Sequence, residues 1–93
     1  MPDKQKNLIG LDNIERSPES EQSLNESFSI AFSTATGLKV LEYLRGITIE
    51  TVGGPSINKD HLMHLEGQRY VVGLIQRRIN KGKSQKIIKD NTK

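Results

Sequence analysis

The stretch "EGQRYVVGLIQRRINKGK", Glu66–Lys83, is apolar along one side, basic along the other, and closes on a run of lysines. Leu65, Val72 and Ile79 repeat at seven, and Leu62, Val71, Leu74 and Ile75 widen the stripe. Residues three, four and seven apart share one face of a helix, so the spacing predicts a helix here. Asn58 or Asp60 supplies a start signal and Gly82 a stop, which places the longest helix over residues 58–81. The basic residues gather near its C-terminal end, where they complement the helix dipole.

A helix with one apolar stripe needs a surface to pack on. Upstream, residues 24–45 read as helix in two parts. Ser23 or Asn25 is the expected cap of the first part, and Phe28 and Phe32, four apart, share a face. "STAT" reads as a break with a fresh cap at Ser33 or Thr34. The second part carries Leu38, Val40, Leu41 and Leu44 at helical spacing and stops at Gly46. Residues 47–58 connect the two halves. Ile47, Ile49 and Val52 alternate with polar residues, but "GGPS" ends the pattern, so a loop, or an edge pairing with another subunit, is expected. The fold class is all-α: a small helical hairpin centred on residues 34–46 and 59–80, with an extended N-terminal arm and a basic C-terminal tail. Phe28, Phe32, Leu41, Leu44, Leu65, Val72 and Ile75 are its expected core. The boundaries are an acidic arm at 1–23, a helical domain at 24–81 and the tail at 82–93.

The totals constrain this picture. The chain has 93 residues, a third of them apolar, and no cysteine. That is at most one domain, and domains below roughly 70–80 residues usually need a staple beyond their own core. No disulfide or cysteine-based zinc site can supply one, so the expected staple is a protein partner. No stretch nears the ~20 apolar residues of a membrane span. No apolar block follows Lys4 and Lys6, so neither a membrane partner nor a secretory signal is expected. The net charge of +3 hides a gradient, from −3 over residues 1–26 to +6 over residues 59–93. Opposite ends of opposite sign suit head-to-tail contact between copies, or two different partners.

Asp, Asn, Ser, Pro and Glu dominate the arm, and such a segment in isolation buries too little to offset its ordering entropy. Its one apolar cluster, Leu8, Ile9, Leu11 and Ile14, is a candidate partner-binding segment. At the other end Arg77, Arg78, Lys81, Lys83, Lys86 and Lys89 are candidates for contact with nucleic acid or an acidic protein. No aromatic interleaves them to stack a base, and no recognition motif aims them.

Candidate chemistry is sparse. His61 and His64, three apart, could share a metal, but a site needs a third ligand and none is spaced to supply it. No nucleophile–base pairing stands out, and "TVGGPS" lacks the lysine and strand-to-helix setting of a phosphate loop. No enzyme activity, cofactor or small-molecule substrate is expected. Glu66 and Arg69 can bridge on one helix face. Gly67 between them carries the cost of glycine in a helix interior, which suggests close approach of another backbone. The expectation is a structural latch in which Glu66, Gly67 and Arg69 meet the turn at Thr34–Gly37.

"FSTATGLKVLEYLR", a glycine-containing gap and "HLEGQRYVVGLI" together resemble a family of small structural proteins of Bordetella short-tailed phages and their relatives. The resemblance rests on Phe32, Thr34, Gly37, Val40, Leu41 and Leu44, then on Glu66, Gly67, Arg69, Val71, Val72 and Ile75, and covers residues 28–80. It implies a non-enzymatic virion component, made in the host cytoplasm and built into the particle. Its expected partners are portal, adaptor or tail proteins, with several copies in a symmetric ring and the basic end near packaged DNA. The alternative is a small basic nucleic-acid-binding protein acting free in the infected cell. A metal-dependent enzyme built on His61 and His64 is a weaker third reading.

Overall fold

A computed structural model describes residues 6–51, 54 and 57–91, with side chains described as far as Lys86. It is mostly helical. A two-stranded antiparallel hairpin, β1 (Leu8–Ile9) and β2 (Glu15–Arg16), precedes three helices. These are α1 (Pro18–Ala31), α2 (Ala35–Gly46) and α3 (Lys59–Asn91).

The arm therefore has structure of its own, against the expectation. Leu8 pairs with Arg16 and Ile9 with Glu15, and the Gly10 amide donates to the Ile14 carbonyl at 2.9 Å. Asn13 closes the three-residue loop with φ 68°, the left-handed conformation that asparagine tolerates. The first helix also starts earlier than Ser23 or Asn25. Ser17 is its cap, its Oγ accepting from the Ser20 amide at 3.1 Å, and Pro18 stands at the first helical position. Glu19 and Glu21 in the first turn suit the positive end of the dipole.

The break at "STAT" falls where expected. Thr34 caps α2, its Oγ1 accepting from the Gly37 amide at 3.0 Å, and α2 ends at Gly46. A side chain at Gly37 would run into the Ala31 carbonyl and come 3.0 Å from Phe32 Cα, so this glycine lets α2 turn back against the end of α1. Asn58 starts α3, its Oδ1 accepting from the His61 amide at 2.7 Å. Residues 47–50 are a turn rather than a strand. Val52, the rest of the alternating pattern, lies outside the described residues.

Gly82 does not stop α3, which continues through "KGKSQK" to Asn91. The boundary between a helical domain and a separate tail at residue 82 is thus crossed by a single helix. The reason is packing: α1 lies across α3 at this point, and a Cβ on Gly82 would sit 2.6 Å from Ser29 Cβ and collide with the Asn25 carbonyl. The principal helix pair is α1 with α3, while α2 touches α3 more lightly. The hairpin expected from residues 34–46 and 59–80 is therefore only part of the fold.

Leu41, Leu65, Val72 and Ile79 form the buried apolar core. Phe28, Phe32, Leu44 and Ile75, expected beside them, are half-buried. The two phenylalanines stack on each other with ring centroids 6.4 Å apart. The molecule is too thin to enclose more: it measures 58 × 32 × 16 Å. Its long axis is set by α3, whose 33 residues span about 50 Å.

Candidate partner-binding surface

The polar interior comes first, because it fixes which charges remain for partners. Arg78 is 2% exposed. Its Nη1 donates to Glu21 Oε2 at 3.0 Å and to Asn25 Oδ1 at 2.7 Å, and its Nη2 lies 3.4 Å from Asp12 Oδ2. Arg16 closes the group from the hairpin. It donates to Asp12 at 3.1 and 2.9 Å and to Glu21 Oε1 at 2.5 Å. The Leu11 amide donates to Glu21 Oε2 at 3.1 Å. Two carboxylates and two guanidiniums balance, as a group removed from water requires. Asn25 also donates to Gln85 Oε1 at 2.9 Å, and Gln85 to the Gln22 carbonyl at 3.1 Å. This network ties the hairpin, α1 and the C-terminal half of α3 together.

The electrostatics follow the geometry. The Arg16 hydrogen bonds hold the Asp12 carboxyl well below its ordinary range, and Asp12 in turn raises Arg16. Burial works to raise Glu21, but the Leu11 amide, Arg16 and Arg78 outweigh it and hold this carboxyl below its ordinary value. Both acids are therefore ionised at neutral pH.

Arg78, a candidate for nucleic acid or an acidic partner, is thus committed inside the fold. Arg77, Lys81, Lys83 and Lys86 remain exposed on α3, while the Lys89 side chain lies outside the described residues. Leu11 of the arm, half-buried, lies with Arg77, Asn80, Lys81 and Ser84 around a shallow pocket of about 300 Å³. Leu8, Ile9 and Ile14 are exposed, Ile9 at 65% and Ile14 at 57%.

The residues of the expected latch are placed differently. Glu66 and Arg69 do bridge, at 2.9 Å, but they do not meet the Thr34–Gly37 turn. Arg69 Nε donates to the Thr48 carbonyl at 3.0 Å, and its Nη2 donates to the Thr51 carbonyl. It thereby holds the turn after α2 against α3. That turn is also braced by Thr48, buried, whose Oγ1 donates to the Leu44 carbonyl at 2.6 Å. Thr34 and Gly37 serve the junction of α1 and α2, through the cap and the close approach at Gly37. A Cβ at Gly67 would meet nothing within 4 Å, so among the described residues no backbone explains that glycine.

Gly67 lies instead in an open groove between α2 and α3. Leu44 and Ile47 wall it on one side and Met63 and Val71 on the other. Thr48, His64 and Gln68 supply its polar edge, and the groove measures about 660 Å³. Val40 and Tyr43 on α2, and Leu62 and Tyr70 on α3, add further exposed large side chains to these helices.

His61 and His64 sit on the exposed first turns of α3, where His64 faces Gln68 at 3.2 Å. Among the described residues no three metal-ligating side chains gather, and no helix is long and apolar enough to cross a membrane.

The chain belongs to the Bbp19-like phage protein family, whose model matches residues 28–89, about two thirds of its length. The resemblance read from residues 28–80 is confirmed and extends along α3. The protein is therefore phage-associated. No curated protein and no solved structure matches it.

The Arg78 network went unread in the sequence because polar residues carry its helical period. Glu21 and Asn25 are four apart, and Arg78, Gly82 and Gln85 continue the inward face of α3 at spacings of four and three. Opposite charges at matching periods on two segments were the available signal.

Proposed function

We propose that this protein is a non-enzymatic structural component of the phage particle, held in several copies in a symmetric ring at the portal, neck or tail. Family membership makes it phage-associated; the observation that carries the rest is its shape. Its Cα radius of gyration is 16.8 Å, where a compact chain of this length would have about 12 Å. Its accessible surface is 6815 Å², against about 5,400 Å² for a compact monomer of 10.4 kDa. A thin body with an open apolar groove is suited to burial among neighbours. The exposed arm residues Leu8, Ile9 and Ile14 offer a second contact to portal, adaptor or tail proteins. The cations at Arg77, Lys81, Lys83 and Lys86 offer a third, to an acidic protein face or packaged DNA. The rival reading, a nucleic-acid-binding protein free in the cell, loses Arg78 from its contact set.

Particles disrupted and separated into head shells and portal–neck–tail assemblies test this reading. The chain, followed by antibody, should travel with the portal–neck–tail fraction. Its presence only in the unassembled lysate would contradict the proposal.

A further inference from the structure

We propose that the groove between α2 and α3 is the site at which a second copy of this chain packs, through the same groove on its partner. The inference adds a pairing contact to the multi-copy reading above and rests on that reading for its place in the particle; such a pair closes at two, so the contacts that close a ring lie on other faces. Its first observation is Gly67. A glycine inside an exposed helix disfavours the helix relative to alanine, and among the described residues nothing comes within 4 Å of a Cβ placed there. Close approach of an external helix is what a missing side chain in the middle of a groove permits. The second observation is the groove's chemistry. Leu44, Ile47, Met63 and Val71 are apolar, and no Asp, Glu, Lys or Arg lines the groove between them. Two charged pairs beside it are matched, Arg45 with Glu50 at 3.7 Å and Arg69 with Glu66 at 2.9 Å. A groove lined by no Asp, Glu, Lys or Arg can meet its own copy without setting such charges against each other, as a self-complementary interface requires.

Area decides between copies and a small ligand. The chain exposes about 1,400 Å² more than a compact monomer of its mass should. A stable pair buries about 800 Å² on each partner. The excess thus accommodates one such patch per copy, whereas the open groove would leave a small molecule largely in water.

Sedimentation velocity on the full chain, from about 1 to about 100 µM, tests the pairing. The wild type should move from the mass of one chain to that of two. Val71→Asp puts an unpaired charge in the groove and should weaken pairing by about 100-fold or more. Gly67→Leu should weaken it by filling the groove. Both positions are exposed, so helix content by circular dichroism should hold. Ile30→Asp, at an exposed site on α1 that does not line the groove, should leave pairing intact. A wild-type chain that stays single at the highest concentration overturns the proposal. So does a pair that survives both groove substitutions. A single chain that binds particles lacking it, and loses that binding with Val71→Asp, gives the groove to another virion protein and also overturns the pairing. Because sedimentation uses protein away from any particle, its outcome leaves the particle assignment to its own test.

Discussion

Arg78 sits on the face of α3 that buries Val72 and Ile79, yet it is charged, and its stability there depends on Glu21 and Asn25. Removing it would leave those acceptors buried with fewer donors, so Arg78→Met should destabilise the fold by roughly 2–4 kcal/mol in urea melts. Lys81→Ala, exposed three residues on, should stay within about 0.5 kcal/mol. If the two variants melted alike, the network would not be holding α1 to α3. The same cluster sets a pH dependence. Asp12 and Glu21 have folded pKa values below their unfolded ones, so the unfolded chain binds protons first as pH falls. Their contribution is complete above the ordinary carboxylate range, about pH 4–4.5, and is lost as pH drops through the lower folded values. Thermal melts should hold steady from pH 7 to about 5 and decline below that, with a shallower decline in Glu21→Gln.

Two glycines on α3 separate what a helix needs inside its own chain from what it offers outside. Gly82 faces the Asn25 carbonyl and Ser29, so Gly82→Ala should push α1 away and lower the melting temperature. Gly67 faces open space, so in dilute solution Gly67→Ala should raise stability by about 0.5–1 kcal/mol, the ordinary gain of alanine in a helix. Equal effects at the two sites would contradict the placement of α1. Ending the chain after Lys81 would also remove the bonds from Gln85 to Asn25 and Gln22, so this truncation should lower stability at every ionic strength. These elements show what the sequence made legible. The break at Thr34, the stop at Gly46, the start at Asn58 and the pairing of Glu66 with Arg69 were readable because caps and i,i+3 spacing are local. The core residues Leu41, Leu65 and Val72 followed from apolar period. The start of α1 at Ser17 was hidden because its inward face presents Glu21 and Asn25 rather than apolar residues. The run of α3 through Gly82 was hidden because the glycine is there for a helix distant in sequence, and no local signal separates that use from a stop. Arg69 reached Thr48 and Thr51 rather than Thr34 because α3 presents it to the turn after α2, a placement that spacing within α3 does not reveal.

At the scale of the molecule, a 33-residue helix carries a small hairpin and two shorter helices, and most of its length has neighbours on one side only. The charge gradient takes on a different meaning in this body. Two of the six acids in residues 1–26, Asp12 and Glu21, are spent inside, where they meet Arg16 and Arg78, while Arg77, Lys81, Lys83 and Lys86 stand exposed along the C-terminal half of α3. Attachment that uses those cations should weaken with added salt, and attachment through the apolar groove should not. Washing particles at rising ionic strength would separate the two: if the groove dominates, the protein stays bound at high salt. The account stands most directly on copy number. Density-purified particles, digested with isotope-labelled standard peptides from this chain and from the major capsid protein, give its copies per particle. The prediction is several copies, in the same number from one preparation to the next. Less than one copy per particle, with the protein abundant in the infected lysate, would contradict it.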